Sequence, residues 1–294
     1  IKPAMNISKQ IIVAAALLMA APAALAQRYV TDSCRVNGLM RRYTVFLPAG
    51  VKPGAPLVVC MHGYGKWAKP KRYDLDAVAA REGFAVCYPC GVRDTTGKWG
   101  WNVGYPRQAA LRNNEVDDVI KITRHVQKQF DLSRDNTFAT GMSNGGDMCY
   151  VLAYNGTNVF RAYASVAGQT MQWLYDGPNA PRPVPIMEIH GSGDACSEWG
   201  GDLAGTGGWG AYISVPLEVG YWVARNRCKV VATDTIPSKQ GGKGHITVRR
   251  KYTGGTAGTE VWWYEVVGAP HSWHAKDLNT GEEVWSFFKH FLKK

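Results

Sequence analysis

The chain has 294 residues, 46% of them apolar and 19% charged, with a formal net charge of +11. That balance excludes a disordered chain, which carries too few apolar residues to bury a core. The basic residues (Arg41, Arg42, Lys66, Lys69, Lys71, Arg72, Arg249, Arg250, Lys251) are scattered, without a long run or a nucleic-acid motif, so they point to a solvated surface suited to acidic polymers and not to nucleic acid.

Met5 and Lys9 precede the apolar run Ile11–Ala20, and Ala24-Leu25-Ala26 supplies small residues for cleavage before Gln27. Residues 1–26 thus read as a signal peptide with four upstream residues, and 27–294 as one exported domain, secreted or periplasmic, with no membrane attachment after cleavage. All seven cysteines lie in that domain. In an oxidising compartment some should pair, and the odd count leaves at least one free, for which Cys60 in an apolar run is the candidate. Cys87-Tyr-Pro-Cys90 has a metal or redox spacing, but no second pair or nearby histidine completes a zinc site, and no metal is expected.

Arg28–Cys34 and Arg41–Leu47 read as two strands around Val36-Asn37-Gly38, an antiparallel hairpin. Pro56–Met61 is a strand buried on both faces, Asp74–Arg81 a helix and Phe84–Tyr88 another buried strand. Asn114–Phe130 carries Val116, Val119, Ile120, Ile122 and Val126 at helical spacing behind an acidic first turn. Strands at Thr137–Thr140, Ala162–Val166 and Pro185–Ile189 follow, with a helix over Gly146–Tyr154. Then come the helix Val215–Arg225, an antiparallel pair Thr247–Tyr252 and Val261–Val267, and the closing helix Glu282–Leu292. The alternation predicts one mostly parallel α/β sheet with helices on both faces and the antiparallel hairpin at its start.

Gly141-Met-Ser-Asn-Gly145 joins a strand to a helix, the pattern of a nucleophile elbow with Ser143 as nucleophile. A serine needs a base to take its proton and an acid to hold the base, here in the order serine, acid, histidine. His190-Gly-Ser-Gly-Asp194 puts Asp194 after a strand, and Gly268-Ala-Pro-His271 puts His271 after the last one. His274 competes for the base, and Glu198 and Asp202 for the acid. Backbone N–H groups of Asn144, after the nucleophile, and of Tyr64, in His62-Gly-Tyr-Gly65, are the expected oxyanion hole. His62 is expected to orient that loop. Glycine-rich loops carry Trp67, Trp99, Trp101, Trp173, Trp199 and Trp209 towards the same edge, and their ring faces suit a planar phenolic acyl group.

His62-Gly-Tyr-Gly65, Trp101-Asn-Val-Gly104, Val116-Asp-Asp118, Gly141–Gly146, His190–Asp194 and His271-Ser-Trp273 together resemble the secreted polyhydroxybutyrate-depolymerase-like esterases. That group overlaps carbohydrate esterase family 1, with its feruloyl and acetylxylan esterases, and the resemblance runs over about residues 35–292. It implies an α/β-hydrolase fold, no cofactor, and a nucleophile, acid and base that fall on Ser143, Asp194 and His271. The substrate it implies is an ester-decorated plant polysaccharide or its feruloylated oligosaccharides, with no obligate protein partner. Feruloyl ester hydrolysis is the leading expectation, with acetylxylan and polyhydroxybutyrate esters as alternatives. An inactive carbohydrate-binding protein is the alternative of a different class. Gly268-Ala-Pro and Ala195-Cys196 depart from the group's pattern and bear on loop shape.

Overall fold

A computed structural model describes residues 26–67 and 69–294. The leader read over 1–26 therefore lies outside the described residues but for its last position. Ten strands form one sheet: β1 (Arg28–Val36), β2 (Leu39–Leu47), β3 (Leu57–Met61), β4 (Ala85–Pro89), β7 (Thr137–Met142), β8 (Tyr163–Val166), β9 (Ile186–Gly191), β10 (Val230–Ile236), β11 (Thr247–Thr253) and β12 (Val261–Val266). A separate two-stranded ribbon pairs β5 (Val92–Arg93) with β6 (Trp99–Gly100). The sheet order is β1-β2-β4-β3-β7-β8-β9-β12-β11-β10. The six strands from β4 to β12 are parallel, and antiparallel pairs close both sides.

Side-chain alternation along a strand divides the core into two layers. Leu57, Val59 and Met61 of β3 join one apolar cluster, and Val58 and Cys60 the other. Helices α2 (Glu115–Gln129), α3 (Asn144–Asn155) and α4 (Val215–Asn226) cover the first layer; α1 (Leu75–Glu82) and α5 (Thr280–His290) cover the second. The expected architecture is observed, with the opening hairpin closed by Asn37 and Gly38, both at positive φ, as a two-residue turn of right-twisting strands requires.

Two elements escape the sequence pattern. β10 lies at the sheet edge with nearly every residue in solvent, so it carries no alternation of apolar and polar positions. The ribbon strands have two residues each, too short for any period. Among the described residues Cys34, Cys60, Cys87, Cys149, Cys196 and Cys228 form no disulfide, so the expected pairing is not seen. Cys34, Cys60, Cys87 and Cys149 are buried and serve as small apolar side chains in the core.

The hairpin is pinned to α2 by one buried cation. Arg41 meets Asp118 and Glu115, each at 2.6 Å, with all three side chains at most 2% exposed. Removing Arg41 strands two buried carboxylates. Arg41→Ala should therefore cost about 3–5 kcal/mol, read as a shift of the urea midpoint; a change below about 1 kcal/mol would show the cluster to be solvated.

Candidate active site

Four loops leave the C-terminal ends of parallel strands on one sheet edge, the side where open α/β sheets hold ligands. Ser143 follows β7, His62–Tyr64 follow β3, Asp194 follows β9 and His271 follows β12. Ser143 has φ 56° and ψ −126°, a backbone state that costs an ordinary residue free energy and that the surroundings must enforce. Its N–H donates to Val166 O (2.8 Å), and its carbonyl receives Gly146 N–H (2.6 Å) and Asp147 N–H (2.9 Å). A Cβ at Gly145 would lie 2.2 Å from Met61 O, and one at Gly141 2.4 Å from Gly145 O, so both glycines are required by contact alone.

The loops after β9 and β12 are zipped together. Ser192 N–H donates to Val266 O, Gly193 N–H to Ala269 O, and Gly268 N–H to the Ser192 hydroxyl. This brings His271 Nδ1 to 2.7 Å from Asp194 Oδ2. Asp194 Oδ1 also accepts the N–H groups of Cys196 (2.7 Å) and Ser197 (2.9 Å). Burial raises the Asp194 pKa, but the His271 hydrogen bond and the His271 and His190 charges outweigh it and hold the carboxyl below its usual value. Its ionised oxygen therefore fixes the proton on His271 Nδ1 and leaves Nε2 as the acceptor. Among the described residues no hydrogen bond joins Ser143 Oγ to His271, a contact that ligand-free sites often hold loosely.

The rivals sit elsewhere. His274 is buried, with its pKa lowered by desolvation to about 4, and its Nδ1 faces the Ser272 hydroxyl. Asp202 accepts Gly207 N–H and ties its own loop, and Glu198 is solvent-exposed.

The loop expected to supply the second oxyanion donor lies against the nucleophile, since a Cβ at Gly63 would be 3.4 Å from Ser143 Cβ. Trp101 holds it there. Its indole N–H donates to His62 O (2.8 Å), while its own N–H donates to Asn144 Oδ1 (2.7 Å). His62 Nε2 accepts Gly91 N–H, and desolvation lowers its pKa to about 4, so the neutral ring orients the loop.

Trp101 is fully buried, which removes it from the expected substrate contacts. Trp199 stacks on Trp263, and the Trp173 indole N–H donates to Val103 O. Trp67 meets Trp99 edge to face, away from the serine cavity lining. Of the six tryptophans only Trp209 lines the cavity at Ser143, beside Tyr105, Tyr212 and Met171. That cavity holds about 10 Å³, room for about one water.

Sequence reasoning missed Asp147. It lies four residues after Ser143, one helical turn along the same face, which is the signal that could have found it. Its carboxylate accepts Tyr105 O–H and Gln169 N–H (2.8 Å). Deeper still, Tyr150 O–H lies between Glu188 (2.8 Å) and Glu218 (3.1 Å). One phenolic proton cannot serve two carboxylates, so one acid keeps its own proton, and burial pushes both acids well up. Glu188 in turn meets His190, whose Nε2 faces Ser197 O, so this chain ends at the residue whose N–H holds Asp194.

A model of the prolyl oligopeptidase family matches residues 77–195, short of half the chain. The solved acetyl xylan esterase from Aspergillus awamori superposes with a TM-score of 0.61 over 89% of this chain and 99% of that one, at 14% identity. The fold is that of an α/β-hydrolase. By sequence the chain is 26% identical over 272 residues to feruloyl esterase D of Neurospora crassa, covering 89% of this chain and 86% of that protein. It is also 26% identical over 167 residues to the bifunctional acetylxylan esterase/xylanase XynS20E of Neocallimastix patriciarum, covering 56% of this chain but spanning 23% of that protein. The chain is thus similar to esterases named for feruloyl and acetylxylan substrates, in line with the resemblance carried by its motifs. Among its described residues no helix is long and apolar enough to cross a membrane.

Asp147 sets a pH test. Burial pushes its carboxyl up to about 7, against the pull of Tyr105, Gln169 and the His271 charge. The unfolded chain releases that proton near 3.8 and the folded one near 7, so stability falls between those values and levels off above. Asp147→Asn removes the loss, and its Tm should drop less than the wild type's from about pH 5 to about pH 8. Equal drops would show that Asp147 is ionised throughout.

Proposed function

We propose that this protein is a serine carboxylic-ester hydrolase acting on ester-decorated plant polysaccharide. One observation carries the reading: the His271–Asp194 hydrogen bond stands on the same sheet edge as the strained Ser143. His271 Nε2 takes the Ser143 proton as Oγ attacks the ester carbonyl. The oxyanion is met by the N–H groups of Tyr64 and Asn144, preorganised by the Trp101 ties. Collapse breaks the bond to the sugar oxygen, which leaves with the proton from His271, and a water activated by the same ring then releases the acid. Action outside the cytoplasm, read from residues 5–26, belongs to the same proposal.

The acyl group that the cavity favours is small. About 10 Å³ beside Ser143 accepts a methyl group, whereas a phenolic ring has to lie outside it, against Tyr105 and Trp209. Feruloyl esters are the second reading, supported by that aromatic wall and by the Neurospora relative of matching length. The kcat/KM ratio for an acetylated xylan against methyl ferulate decides between them: an excess on acetyl esters supports the small pocket, and the reverse means that the wall opens to the ring.

Ser143→Ala should lower kcat by about four decades with the fold intact, and His271→Ala should match it. His274→Ala should change kcat by less than about tenfold. A Ser143→Ala protein that keeps a tenth of wild-type turnover, measured on p-nitrophenyl acetate, would refute the mechanism.

A further inference from the structure

A cavity larger than the one at Ser143 lies elsewhere among the described residues. A groove of about 880 Å³ runs between the β1–β2 turn, the β5–β6 ribbon and the loop before α2. Leu39, Met40 and Leu111 give it apolar walls, and Trp99 stands at one end. A second cavity of about 360 Å³ shares Met40, Arg93 and Trp99 with it and adds Arg42. Volumes of this size are those of ligand sites.

One strand, β6, joins the groove wall to the loop beside Ser143. Trp99 lines the groove, and its carbonyl receives Gly65 N–H at 2.7 Å. At the next residue, Gly100, a Cβ would lie 2.9 Å from the Tyr64 ring and 3.0 Å from Asn144 Oδ1. The residue after that is Trp101, which ties the oxyanion loop.

The charges lining it are unequal in their partners. Arg41 is satisfied by Glu115 and Asp118, and Asp117 by Lys121 at 2.8 Å and by Asn37. Arg42, Arg93 and Arg112 have no carboxylate partner among the described residues. Arg93 lies over the Trp99 ring at 4.6 Å, and Arg112 donates only to Ala109 O. All three are exposed. The groove thus offers apolar walls for ring faces and planar guanidinium forks for carboxylates.

We propose that this groove holds a stretch of a carboxylate-bearing, uronic-acid-substituted polysaccharide, the polymer whose esters Ser143 attacks. This rests on the esterase reading and adds to it the acidic class of the polymer. Arg93 and Arg112 pair with the uronate, and Leu39, Met40 and Trp99 pack against sugar rings.

The test is binding, read apart from turnover. An ester-free xylo-oligosaccharide carrying glucuronic acid is titrated calorimetrically into the wild-type protein, beside a neutral xylo-oligosaccharide of equal length and a single-stranded oligonucleotide. The acidic sugar should bind about tenfold more tightly than the neutral one. The double variant R93Q/R112Q should lose about that factor, and added salt should erode it. Equal affinity for both sugars, an unaffected double variant, no sugar binding, or an oligonucleotide that binds as well as the acidic sugar would each overturn the proposal. Hydrolysis of p-nitrophenyl acetate by the wild type reports separately on the esterase reading. Turnover without acidic-sugar binding removes the groove assignment alone, and binding without turnover removes the esterase assignment alone.

Discussion

The left-handed backbone at Ser143 is the constraint on which the rest of this molecule depends. A non-glycine residue holds that conformation only if its neighbours leave it no alternative. The enforcement comes from packing: α3 enters so close to β3 that Gly145 nearly touches Met61 O, and so close to β8's outgoing loop that a Cβ at Gly146 would lie 2.9 Å from Gly168 Cα. Strand order, helix entry and the position of the serine hydroxyl are thereby one geometric fact. Shifting any of them by a methyl group's width disturbs the others.

Around that turn the polar groups divide into ties and a proton store. The ties are neutral and directional: Trp101 to His62 and Asn144, His62 to Gly91, and Ser192 to Gly268. They fix the loops around Ser143 without placing charge in the interior. The store is the buried run from Glu218 through Tyr150 and Glu188 to His190. It supports the Asp194 loop from below while keeping its own charge low, which a dry interior demands.

Much of this was legible because it follows periodicity or contact. The buried strands announce themselves as continuous apolar runs, and the Gly-x-Ser-x-Gly spacing reports the close approach of α3. Asp194 and His271 stand out in the sequence by the strand ends they follow, and a hydrogen bond joins them. The acidic residues of the chain itself were harder. Asp147 looks like an ordinary first-turn helix acid, and only its distance from Ser143 along the helix distinguishes it. The tryptophans misled, since an indole in a glycine-rich loop gives no sign of whether its ring or its N–H faces inward. Trp101 uses both inside the core. The cysteines were illegible for a similar reason: their count says nothing of which thiols the core absorbs. β10 was invisible because solvent on both of its faces imposes no pattern.

The unbridged thiols give the molecule a built-in gauge of its own opening. Burial pushes the Cys60 and Cys149 thiols far from the reactive thiolate, and both lie in central elements, so they meet an alkylating reagent only through extensive unfolding. Cys196 and Cys228 are partly exposed, at opposite ends of the segment that carries α4. Cys196 also lines the cavity at Ser143. Labelling kinetics on one unmodified chain thus separate three events by residue: ligand entry shields Cys196, local loosening beyond α4 uncovers Cys228, and global unfolding releases the central pair.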